Sequence, residues 1–188
     1  MAPRPIVGVL LAAGSAKRFG ADKLRVALPD GTAIGVAALK SLAAAVDAVV
    51  AVVRPGDEVV AHALGSNGAR VTFCPVARDG MGSSLAWGVR AAPLAAAWVI
   101  ALADMPWVRA ASVARVVAAL RGGAAIAAPS HNGAHGHPVG FASGFYAELS
   151  SLSGDEGAKG ILARGPVTLI AIDDPGVVRD VDVPEDLM

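Results

Sequence analysis

Apolar residues in this chain gather in short runs that do not alternate with polar ones: Ile6–Leu11, Ala48–Val53, Val71–Phe73, Val99–Leu102, Ala125–Ala128 and Val167–Ile172. Runs of this length, several of them rich in Val and Ile, predict strands covered on both faces, as in parallel sheets. Between them, Ile34–Ala45, Asp57–Leu64, Ser84–Ala92 and Ala111–Leu120 space their polar residues so that a helix would keep one exposed face. Strand and helix alternating at this interval predict βαβ units and one three-layer α/β/α domain over residues 1–188, with a mostly parallel sheet.

Composition narrows the partners. Of 188 residues, 54% are apolar and 17% charged, and 16 basic residues balance 16 acidic ones. No whole-protein field therefore gathers nucleic acid or an anionic membrane, and any charge function must be local. Cys74 is the single cysteine, so no intrachain disulfide can form and a reduced cytoplasmic setting is expected. The apolar run Ala91–Ala103 is too short to span a bilayer and ends in Asp104. The first run, Ile6–Ala13 after Arg4, imitates a secretory leader, but Lys17 and Arg18 follow at once and the fold needs it as its first strand.

In parallel sheets ligands sit beyond the carboxyl ends of the strands, which directs attention to "AAGSAKRFGADK" after the first one. The segment has neither G-x-G-x-x-G nor G-K-[ST]. Ala12, Ala13 and Gly14 instead allow a flat base or ribose to approach the backbone, and Arg18 and Lys23 add a guanidinium fork and a compact ammonium for phosphate oxygens. Asp104 follows the strongly apolar "WVIALA", so its carboxylate falls at the same rim. Asp180 and Asp182, in "RDVDVPEDL", share a face of any extended segment. Carboxylates from distant segments meeting a basic triphosphate loop are what Mg²⁺-dependent phosphoryl chemistry requires, although spacing alone does not bring them together.

These motifs resemble those of the MobA-like nucleotidyltransferases, and within them the molybdenum cofactor cytidylyltransferases. "LAAGSAKRFGADK" at Leu11–Lys23 matches the opening signature, followed in family order by "GMGSSLAWGV" at Gly80–Val89, "LADMP" at Leu102–Pro106, "GHPV" at Gly136–Val139, "GDEGAKGIL" at Gly154–Leu162 and "DVDVPEDL" at Asp180–Leu187. The resemblance implies a Rossmann-like, glycosyltransferase-A-like fold. It implies that Leu11, Ala12, Ala13, Gly14, Gly82 and Ser84 line the nucleotide, that Arg18 and Lys23 hold the triphosphate and act in catalysis with Asp104, and that Asp104 and Asp182 carry Mg²⁺. His137, Asp155 and Lys159 would face the acceptor. The alanine at position 13, where guanylyl-transferring relatives carry glycine, favours CTP over GTP.

The reaction so implied is transfer of CMP from CTP to the terminal phosphate of a molybdenum-bearing pterin, with release of pyrophosphate. The product is destined for a molybdenum hydroxylase or its chaperone. Ala16, His135 and Lys159 depart from the family pattern, the last two on the acceptor side. Another phosphorylated small molecule as acceptor, GTP as donor, and a non-catalytic nucleotide- or pterin-binding accessory protein stay open as alternatives.

Overall fold

A computed structural model describes residues 3–14 and 22–187. The strands are β1 (Ile6–Ala12), β2 (Ala48–Val53), β3 (Arg70–Phe73), β4 (Ala97–Leu102), β5 (Ile126–His131), β6 (Ala134–His135), β7 (Val139–Ala142) and β8 (Val167–Ala171). The helices are α1 (Ile34–Ala43), α2 (Glu58–Ser66), α3 (Met81–Arg90), α4 (Ala110–Arg121), α5 (Tyr146–Ser150) and α6 (Lys159–Arg164).

The eight strands form one sheet in the order β3-β2-β1-β4-β7-β5-β6, with β8 pairing β5. The pairs β1–β2, β1–β4, β2–β3 and β5–β8 are parallel, while β7 runs antiparallel to both of its neighbours. The sheet is thus mostly parallel with helices packed against it, as the alternating pattern predicts. Two apolar layers flank it. Leu10, Leu39, Leu42, Leu64, Val113, Val116 and Val117 belong to one, and Val9, Leu85, Val89, Trp98, Phe141 and Leu149 to the other. Removing each large side chain of this kind from water contributes about 2–3 kcal/mol.

Two features depart from the sequence pattern. Coverage on both faces holds for β1, β2 and β4 but not for the outer β3 and β8, where Phe73 and Leu169 stay exposed. Strand β7 lies in a Gly- and Pro-rich stretch whose local chemistry reads as a turn. Packing decides its conformation: a side chain at Gly140 would press on Val116 at 3.0 Å, so its absence lets α4 lie on the strand.

Candidate functional site

The site lies where β1 and β4 end together. Leu11 is in register with Leu102, and the Ala103 amide donates to the Leu11 carbonyl. Ala12–Gly14 and Asp104 therefore emerge side by side at the carboxyl edge. Ala12 and Ala13 turn their methyl groups into the two core layers, whereas Gly14 is exposed with open space where a side chain would be. The backbone is thereby exposed at Gly14, at the rim.

Lys23 opens a short 3₁₀ turn, Lys23–Arg25. Its Nζ donates to Asp104 Oδ2 at 2.8 Å and to the Val181 carbonyl at 2.8 Å, and lies 3.9 Å from Asp182 Oδ1. Three segments far apart in the sequence so meet at one ammonium. The exposure of the side chains rises from 14% for Lys23 through 25% for Asp104 to 52% for Asp182, so the cluster opens toward solvent on the Asp182 side. A small apolar cluster anchors it, in which buried Ile34 and Val181 pack with Leu24, Val26, Leu28, Trp107 and Leu187.

The C-terminal segment is tied down by its own polar groups. The Val181 amide donates to the Asp104 carbonyl, and the amides of Asp182 and Val183 donate to one Asp186 oxygen at 2.7 and 2.9 Å. Those two N–H groups, Val183 foremost, hold the Asp186 carboxyl below its ordinary value. Arg179 stacks on the Trp107 ring at 3.9 Å and donates to the Asp186 carbonyl.

The expected residues are not all gathered in one place. Lys23, Asp104 and Asp182 come together, and of the two aspartates flanking Val181 it is Asp182 that reaches the ammonium, while Asp180 acts on the charge state of His137. Arg18 lies outside the described residues. His137 is drawn inward: its amide donates to the Val177 carbonyl, and its ring lines a small cavity with Ala101, Leu102 and Met105, leaving Nδ1 buried with no hydrogen-bond partner among the described residues. Burial pushes its pKa down, against the opposing pull of Asp104. An imidazole so placed is neutral at pH 7.

Gly82 and Ser84 lie in the first turns of α3. The helix is capped by Gly80, and Ser83 and Ser84 are buried within it. Ser84 sits against Cys74, whose thiol is pushed up by burial, the state of an inert core cysteine. The Gly82 amide donates to the Gly154 carbonyl at 2.7 Å, so the loop bearing Asp155, and Lys159 just beyond it, docks on the start of α3. Asp155 and Lys159 both remain exposed there.

A methyl at Gly82 would stand 2.7 Å from the Ser153 carbonyl oxygen and 2.9 Å from that of Gly154. Gly82→Ala therefore displaces this loop, with an expected destabilisation of about 2 kcal/mol. Urea denaturation checks it, and an unchanged midpoint would show that the loop yields freely.

Sequence reasoning missed the Val181 carbonyl, the Arg179–Trp107 stack and the Asp186 clamp. A carbonyl carries no sequence signal, but Asp186 two residues after Pro184 is a turn-stabilising aspartate that the pattern could have supplied.

Comparison with known proteins gives this arrangement a family. The MobA-like NTP transferase domain matches residues 8–169. The chain belongs to that family. It is 32% identical over 195 residues to the purine catabolism protein PucB of Bacillus subtilis, covering 96% of this chain and 93% of that one. The crystal structure of Rv0371c from Mycobacterium tuberculosis H37Rv superposes with a TM-score of 0.87 at 28% identity, over 99% of this chain and 96% of that chain. A manganese complex of Rv0371c matches at 0.78 and 26%, over 97% and 95%. A nucleotidyl transferase from Methanothermobacter thermautotroptrophicus, 21% identical over 98% and 94%, shares the fold with a TM-score of 0.82. The Rossmann-like nucleotidyltransferase fold is thereby established. A membership specifically among the cytidylyltransferases of the molybdenum cofactor is not.

The residues present suit a divalent cation. Asp104 and Asp182 already face one cation, the Lys23 ammonium, with the Val181 carbonyl beside them, and such hard oxygen donors match Mg²⁺ or Mn²⁺.

Proposed function

We propose that this protein transfers CMP from CTP to the terminal phosphate of a molybdenum-bearing pterin, releasing pyrophosphate. The observation that carries the reading is the meeting of Lys23, Asp104 and Asp182 beside the exposed Gly14 at the end of β1, in a chain of the NTP transferase family.

In this reading the peptide groups of Leu11–Gly14 face the base and ribose, while Gly82 and Ser84 at the start of α3 wall the pocket. An acceptor phosphate oxygen, already anionic at neutral pH, attacks the α-phosphorus of CTP in line; the bond to the β-phosphate oxygen breaks and pyrophosphate leaves. No strong general base is required, so catalysis rests on positioning and on relief of anionic repulsion. Asp104 and Asp182 would hold Mg²⁺, which when bound neutralises charge on the transferring phosphoryl group. Lys23 and Arg18 would contact the triphosphate, and Asp155, Lys159 and His137 would shape the acceptor side, His137 as a neutral, inward-turned wall.

The test is pyrophosphate release from CTP, GTP, ATP and UTP with Mg²⁺ and the phosphorylated pterin. Release that needs both CTP and the pterin is the expected result. Equal or better turnover of GTP would assign the donor differently, and release with another phosphorylated acceptor alone would replace the pterin. Selective nucleotide binding without release from any mixture would favour the accessory-protein reading.

A further inference from the structure

The two roles implied for this cluster compete for the same space. If Lys23 serves the triphosphate and Asp104 with Asp182 serve the metal, the ammonium should point away from the carboxylates, yet it lies between them. Its donors go to Asp104 Oδ2 and the Val181 carbonyl, both at 2.8 Å, with Asp182 Oδ1 at 3.9 Å, and only 14% of the side chain is exposed. An ammonium is a compact cation with preferences close to those of a divalent ion among oxygen donors, but with half the charge. The two cations repel strongly at such range in a partly desolvated site.

We propose that Lys23 is a resident counter-ion of the metal carboxylates in the nucleotide-free protein, held chiefly on Asp104, so that a divalent cation binds weakly alone and enters together with the triphosphate. The inference rests on the metal and triphosphate roles of the preceding section and adds the order in which they are filled. Without nucleotide, expelling the ammonium would strand a half-buried charge, which the carboxylates oppose. A triphosphate changes the balance by offering Lys23 a more highly charged anionic partner and freeing Asp104 Oδ2. Metal and nucleotide then favour each other's binding by the same factor. The four-carbon stem of Lys23 can make this exchange without movement of β1 or β4.

The experiment is Mn²⁺ binding to the full chain without nucleotide, followed by the loss of the free-ion electron paramagnetic resonance signal. Lys23→Met is expected to bind Mn²⁺ at least tenfold more tightly than the native protein. Lys23→Gln, which keeps a hydrogen-bond donor and loses only the charge, should also bind more tightly, while Lys23→Arg should stay near the native value. Adding Asp104→Asn to Lys23→Met should abolish the gain. Circular dichroism and thermal melting identify folded variants, and the glutamine variant carries the test if the methionine variant fails to fold. Affinity in Lys23→Met and Lys23→Gln no higher than native, with Asp104→Asn still weakening it, would overturn the counter-ion role and leave the metal site standing. Mn²⁺ binding indifferent to Asp104 in every background would overturn the metal site, and the inference with it.

Discussion

Asp104→Asn lowers nucleotidyl transfer on the order of a thousandfold and leaves the fold intact. Both halves of this expectation come from the position of the residue. The carboxylate emerges just past the end of β4 beside Gly14, faces the Lys23 ammonium at 2.8 Å and keeps 25% of its surface in solvent. Its backbone carbonyl, not its side chain, receives the Val181 amide, so the C-terminal segment stays attached in the variant. The lost ion pair is partly exposed and should cost about 1 kcal/mol. Asparagine keeps the shape but removes the negative charge that balances Lys23 and that, in the proposed function, would hold a divalent cation. Steady-state pyrophosphate release, with a thermal melt on the same sample, measures both quantities. A variant that retains native turnover, or one that unfolds, would remove Asp104 from the chemistry.

The sequence made that residue easy to find, and the reason is physical. An apolar strand buried on both faces leaves a short unbroken apolar run bounded by polar and turn residues, and β1, β2 and β4 sit within two residues of the predicted runs. A charged residue that ends such a strand must fall at the sheet edge, so Asp104 could be placed without knowing the rest of the fold. Asp182 was harder: it shares a face with Asp180, so spacing does not say which of them reaches the site, and its place beside Lys23 depends on long-range docking of Val181 through its amide on the Asp104 carbonyl and its side chain beside Ile34. His137 shows the opposite limit. A histidine in a "GHPV" motif reads as a ligand-facing group, while the Gly136 and Val177 backbones press together and turn its ring inward. Elements of four to six residues such as β7, α5 and α6 offer too few positions for any period to be seen, and tertiary contacts alone determine them.

Asp174 gives the largest expected effect on stability. It was invisible in the sequence because "DDPG" reads as an ordinary turn. Only 1% exposed, it accepts from the Arg109 amide at 2.9 Å, the Ser112 hydroxyl at 2.6 Å and the Gly176 amide at 3.0 Å. One carboxylate thereby caps two elements at once: the start of α4, where the helix dipole favours negative charge, and the 3₁₀ turn Pro175–Val178. That turn carries the Val177 carbonyl that holds His137, and four residues later the chain reaches Val181 and the Lys23 cluster. Asp174→Ala removes the acceptor of two buried donors and one part-buried donor, for an expected loss of about 3 kcal/mol, or roughly 10 °C in melting temperature for a chain of this size. Asp174→Asn, which keeps one acceptor oxygen, should fall between. Because the carboxylate lies outside the Lys23–Asp104–Asp182 cluster, kcat below the melting transition should drop far less than in Asp104→Asn. Chemical denaturation with activity measured well below the midpoint separates the two effects. A stability change under about 0.5 kcal/mol would mean that water replaces the carboxylate at all three donors, and that the loop carrying Asp182 is held by Val181 instead.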